Sequence, residues 1–104
     1  MRDRATFDAL ANSRRRRRGP ISMTFLPGDP VLPPRVAYAV GKRVGPAVVR
    51  NRVRRRLRAA ALAHRAELQP GGSYLFGAAP AAATVPFAEI DAAMGQLLAV
   101  DDRS

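Results

Sequence analysis

The stretch GKRVGPAVVRNRVRRRLRAAALAHRAELQPGG, residues 41–72, decides how this chain folds. Gly45-Pro46 opens a helix, with proline in the first turn, where a missing N–H costs nothing. Gln69-Pro70-Gly71-Gly72 closes it. Between them, Val49, Val53, Leu57, Ala60, His64 and Leu68 fall within one arc of roughly 100°, the width of a core-facing stripe. Arg50, Arg54, Arg58 and Arg65 line one flank and Arg52 and Arg56 the other, while Arg55 points away from the core. The helix buries one face and offers cations around the rest.

Working outward, Arg35 to Val40 alternates Val36, Tyr38 and Val40 with Ala37 and Ala39, the period-two signature of a strand. Pro20 to Leu26 alternates more weakly and reads as another strand. The turn residues Pro27-Gly28-Asp29-Pro30 follow it. Joined this closely, the two strands are expected to pair antiparallel. Tyr74 to Ala78 is a short apolar strand, and Pro86 to Ala99 a last helix, with Phe87, Ile90, Met94 and Leu97 at helical spacing. At the other end, Asp3 to Asn12 reads as a short helix capped by Asp3. The expected architecture is α+β, a small two-layer sandwich with the order helix-strand-strand-helix-strand-helix. At 104 residues the chain is read as a single domain spanning 1–104.

Charge narrows the partners. The chain carries 18 basic residues against 8 acids, a net charge of +10, and its pI is near 11.7. Between Pro30 and Ala66 there is no acid, while Arg35, Lys42, Arg43, Arg50, Arg52, Arg54, Arg55, Arg56, Arg58 and Arg65 all fall there. A solvated helix usually mixes signs, because like charges four apart repel. A polyanion is the simplest compensation. Lys42 is the only lysine. Arginine's planar fork suits phosphate, although a GC-rich genome also enriches arginine and alanine. The run Arg14, Arg15, Arg16, Arg17, Arg18 reads either as a flexible targeting or solubility segment or as a second set of phosphate contacts.

Other chemistries are poorly supplied. Without cysteine there is no disulfide and no thiolate metal site. His64 is the only histidine and lies on the apolar stripe, where a packed histidine is commoner than a catalytic one. The acids are scattered, so no carboxylate pair stands ready for metal or acid–base work. Gly41-Lys42-Arg43-Val44-Gly45 lacks the longer glycine-rich pattern of a nucleotide-binding loop. No apolar run approaches the roughly 20 residues of a membrane span, and no signal peptide is read at the start. The candidate partners that these features leave open are nucleic acid, an anionic membrane surface or an acidic protein.

The block Lys42-Arg43-Val44-Gly45-Pro46-Ala47-Val48-Val49-Arg50-Asn51-Arg52-Val53-Arg54-Arg55-Arg56-Leu57-Arg58 resembles the signature of the bacterial ribonuclease P protein subunit. It has the basic pair, the Gly-x-Ala-Val step and the central Arg-Asn-Arg triplet, and the likeness extends from about Asp3 to Val100. The resemblance implies an α+β fold with a left-handed crossover. It also implies a chain without catalytic residues of its own, whose arginine helix binds the catalytic RNA of an endoribonuclease that matures the 5′ end of precursor tRNA. Lys42, Arg43, Arg50, Asn51, Arg52, Arg54, Arg55 and Arg58 are the expected RNA contacts. The family also has a cleft for the single-stranded 5′ leader, where Phe7 would stack on a base. Tyr38 and Ala39 lie on the strand that borders it, with either one able to face it. Mg²⁺ is expected on the RNA rather than on the protein, with no small-molecule cofactor and no membrane partner. Ala11 in place of a second aromatic, Ala79-Pro80 where a basic residue is common, and acidic Asp101-Asp102 depart from the family pattern.

A small core under this much self-repulsion should gain stability from anions that bind the native state. Sulfate and phosphate are therefore expected to raise the melting temperature more than chloride at matched ionic strength. Equal shifts in a thermal melt would count against discrete anion sites.

Overall fold

The computed structural model describes residues 15–101. Four strands, β1 (Arg15–Arg18), β2 (Ile21–Leu26), β3 (Arg35–Ala39) and β4 (Ser73–Ala78), form one sheet with two helices, α1 (Ala47–Ala63) and α2 (Phe87–Asp101). The sheet order is β1-β2-β4-β3. β2 is antiparallel to both β1 and β4, whereas β3 runs parallel to β4. The connection from β3 through α1 to β4 is thus a crossover between adjacent parallel strands, the step that carries the arginine helix across the sheet.

The α+β sandwich of sheet and helices is as expected, but the strand pairing differs. β2 and β3 do not pair; β4 lies between them. Pro27, Pro30, Pro33 and Pro34 keep the connecting loop from closing as a tight hairpin. The apolar Tyr74-Leu75-Phe76 of β4 takes the central place, where both strand edges are hydrogen-bonded. In the loop, Asp29 accepts from the Val31 and Leu32 amides, each at 3.0 Å, through its carboxylate and its backbone oxygen respectively.

The arginine run is also structured. Arg15–Arg18 pairs with β2 from Arg15↔Thr24 to Arg18↔Ile21, so Gly19-Pro20 is a two-residue hairpin loop. Gly19 has φ +52°, the positive value that the first position of such a loop requires. The described order therefore opens with an extra strand. The helix expected over Asp3–Asn12, with Phe7 and Ala11, lies outside the described residues, as does Arg14.

One face of the sheet, lined by Ile21 and Met23 of β2 and Tyr74 and Phe76 of β4, packs against both helices. Val53, Leu57, Ala60 and Ala61 of α1 meet Ile90, Ala93, Met94, Leu97 and Leu98 of α2 in the same core. Gly45, two residues before α1, has φ +149°, and a side chain there would press on Val49. The helix stops at Ala63, short of the expected Gln69. His64 caps it, donating its N–H to the Ala60 and Ala61 carbonyls, and a 3₁₀ turn, Arg65–Glu67, follows. Leu68 still packs on the core from beyond the break.

His64 is more than an apolar filler. Its Nδ1 lies 2.5 Å from Glu67 Oε2 and its Nε2 2.9 Å from Asp91 Oδ1, which joins the end of α1 to α2. Its pKa is raised above the ordinary 6.5, chiefly by the hydrogen bond to Glu67 and also by the two carboxylate charges, against the opposing effect of burial. The folded state thus prefers the imidazolium. The resulting stabilisation is full below about 6.5 and is lost as pH rises through the higher folded value. His64→Gln should lower the melting temperature more at pH 5.5 than at pH 9; equal deficits would show that charge does not hold this joint.

Candidate nucleic-acid interface

Two basic surfaces flank the core. The first is the outer face of α1. Burial of Val53 and Leu57 leaves Asn51, Arg52, Arg55 and Arg58 exposed and Arg50 and Arg54 half-buried on one flank. Among the described residues no ion pair involves an arginine of this helix; both ion pairs found there belong to His64. Asn51 Oδ1 accepts from Arg54 Nη1 at 3.0 Å, which orients that guanidinium and leaves the Asn51 amide free to donate. Arg50 Nε is buried without a hydrogen-bond partner, a donor that an incoming acceptor would satisfy. Lys42 and Arg43, both exposed, sit in a 3₁₀ turn, Lys42–Val44, that leads into the helix.

The second surface is a cavity of about 380 Å³. Its lining includes Arg15 and Arg17 of β1, Ser22 and Thr24 of β2, Leu75 and Gly77 of β4, Ala39 of β3, and Arg43. Strand alternation puts the strand side chains among these on the sheet face opposite the helices, and Arg43 reaches the cavity from the Lys42–Val44 turn. Three cations and two hydroxyls therefore surround a floor that includes a glycine. Arg43 belongs to both surfaces, since its turn runs directly into α1.

The two β3 residues Tyr38 and Ala39 lie on opposite faces of the sheet. Ala39 lines the cavity, whereas Tyr38 points to the helix side, paired in register with Phe76. Its ring stacks on Phe76 at 6.3 Å between centroids, and Arg58 Cζ lies 6.0 Å above it. Burial raises the Tyr38 pKa, with Arg58 pulling the other way. Tyr38 is thus a platform for Arg58 and not a wall of the cavity. Arg15 and Arg17 face the cavity, while Arg16 and Arg18 alternate to the other face. Sequence reasoning missed Ser22, Thr24 and Gly77. The polar half of the β2 alternation was the available signal for the first two.

The family model described as Ribonuclease P matches residues 1–100. The chain belongs to the ribonuclease P protein family. It is 40% identical over 93 residues to the ribonuclease P protein component of a Nocardioides species, covering 86% of this chain and 80% of that one. Against the component from Thermobifida fusca it is 40% identical over 106 residues, covering 94% and 72%. The fold matches the RNase P protein from Staphylococcus aureus with a TM-score of 0.80 at 17% identity, over 97% of this chain and 93% of that one. The RNase P protein from Thermotoga maritima matches with a TM-score of 0.80 at 16% identity, over 94% and 93%. The chain is thus a member of a tRNA-processing nuclease family. Among the described residues no helix is long and apolar enough to cross a membrane.

Gly77 gives a direct probe of the cavity in this ribonuclease P family member. A Cβ there would come within 2.7 Å of Ser22 Oγ, so Gly77→Val fills the floor with a residue that strands accept. Affinity for a single-stranded oligoribonucleotide, followed by fluorescence anisotropy, should fall several-fold. An unchanged affinity in a folded variant would show that the cavity takes no part in binding.

Proposed function

We infer that this chain is the non-catalytic protein subunit of ribonuclease P, acting in the cytoplasm in 5′ maturation of precursor tRNA. One observation carries the reading: the outward row Asn51, Arg52, Arg55 and Arg58 on α1, with no acid among the described residues to neutralise it. Lys42, Arg43, Arg50 and Arg54 extend that row, and together these residues bind phosphates and riboses of the catalytic RNA. The cavity beneath Arg15, Arg17 and Arg43, bordered by Ala39, receives the 5′ leader of the precursor.

The work is electrostatic. Arginine forks neutralise phosphate where the catalytic RNA and its substrate meet, which lowers repulsion between the two RNAs. The Mg²⁺ that the reaction uses is held by RNA oxygens. The protein's contribution here is guanidinium and ammonium groups, which repel a cation. When bound, that Mg²⁺ supplies Lewis-acid chemistry on the RNA. The protein lowers the concentration of it needed to bring the two RNAs together.

Reconstitution tests this. Mixed with a bacterial ribonuclease P RNA at low Mg²⁺, the protein should stimulate 5′ cleavage of precursor tRNA, and Arg50→Ala/Arg52→Ala should abolish the stimulation. The slope of log affinity against log salt for the RNA should fall by about two in the double variant, roughly one per lost phosphate contact. A folded wild type that leaves cleavage unchanged would point instead to a structural RNA-binding role.

A further inference from the structure

Arg56 lies inside the basic run, yet its guanidinium turns back onto the protein. Nη1 donates to the Ala82 carbonyl at 2.7 Å and Nη2 to the Val85 carbonyl at 2.5 Å. Both acceptors belong to the connection between β4 and α2, which includes the 3₁₀ turn Pro80–Ala83. A rigid guanidinium fork reaches two carbonyls at once, whereas a lysine ammonium is a single point donor on a flexible stem. Within the described residues Arg56 has no carboxylate partner, so its role is geometric and not charge pairing.

The connection it grips forms part of the cavity wall. Ala79 and Pro80 line the cavity, and the Ala79 amide donates to the Pro20 carbonyl, 2.9 Å away, on a second lining residue. On its other side the connection packs against the Lys42–Val44 turn, where Val44 and Ala82 are both buried. Arg43 of that turn also lines the cavity. One side chain of the arginine helix therefore holds the segment that spaces the helix from the cavity.

We propose that Arg56 is a positioning residue that ties the cavity wall to the arginine helix, fixing the register in which the two surfaces meet one RNA assembly. The inference rests on the proposed function. It assigns Arg56 to the cavity rather than to the phosphate-binding row, in contrast to its sequence neighbours Arg54, Arg55 and Arg58.

The test uses holoenzyme reconstituted with Arg56→Lys, Arg56→Met or, as the contrasting case, Arg52→Ala. Affinity is measured for precursor tRNA with its leader and for the leaderless form, together with the salt slope for binding ribonuclease P RNA. Both Arg56 variants should lower the leader's contribution to affinity about fivefold or more and keep the wild-type salt slope. Arg52→Ala should instead reduce the slope by about one and keep the leader's contribution. A wild-type leader effect in Arg56→Lys, or a reduced slope in Arg56→Met, would overturn the assignment.

Nitrogen-15 NMR of the arginine side chains in the free wild-type protein guards against a variant that fails to fold. The Arg56 Nη protons should be protected from solvent exchange and should not shift when RNA is added. Fast exchange with an RNA-dependent shift would make Arg56 a phosphate ligand and overturn the proposal. A wild type that gives no leader effect would sink the functional reading itself, whereas the free-protein signals decide the Arg56 fork without RNA.

Discussion

Val53 and Leu57 of α1 have no exposed surface at all, and their burial is what permits the rest of the helix. Around them, Arg50, Arg54 and Arg58 repeat four apart, as do Arg52 and Arg56, and no acid shares the helix. Like charges at that spacing cost an isolated helix about 0.2–0.5 kcal/mol per pair. Truncating one buried leucine typically costs about 2–5 kcal/mol. The apolar stripe therefore outweighs the repulsion, and a sequence unfit to be a free helix is a stable one once docked on the core. The same docking decides which arginines reach solvent and which turn inward.

The sheet is arranged to the same end. β3 and β4 are parallel neighbours, so the chain between them must cross the sheet, and that crossing is α1. The turn Lys42–Val44 enters the helix beside the cavity, which puts the end of one basic surface at the edge of the other. Small residues do the complementary work on the cavity side: Ala39 and Gly77 sit opposite each other in register, which leaves space beside Leu75. A face rich in large side chains holds the helices, and on the other face serine, threonine, alanine and glycine, with Leu75 beside them, leave a hollow between arginines.

Much of this was legible in the sequence because strong local patterns agreed with the tertiary outcome. The 3.6-residue stripe of α1, the alternation of β3 and the apolar run of β4 each bury what their period says they should. The failures come where a tertiary choice outweighed proximity or composition. Two strands close in sequence were expected to pair, yet the central place went to Tyr74-Leu75-Phe76, which buries more apolar surface than Ala37 and Ala39 can. Four arginines have no strand-like alternation, so β1 was invisible except through Gly19, whose positive φ makes the hairpin. The early end of α1 at His64 depended on Asp91, a partner 27 residues away that no local window contains.

Composition alone also treats the arginines as one population, and the structure separates them. Arg52 and Arg55 project from the helix without a protein partner among the described residues. Arg58 lies over the Tyr38 ring, a contact that draws on the flat, weakly hydrated guanidinium. Arg56 spends its fork on two backbone carbonyls, and Arg15 and Arg17 use strand alternation to face a cavity that Arg16 and Arg18 cannot reach. Each role uses a different property of the same group: charge, face, fork or length. A lysine could replace only the first and the last. An almost exclusive use of arginine is therefore what this architecture demands wherever a cation must stack or bridge, whatever the base composition that supplied it.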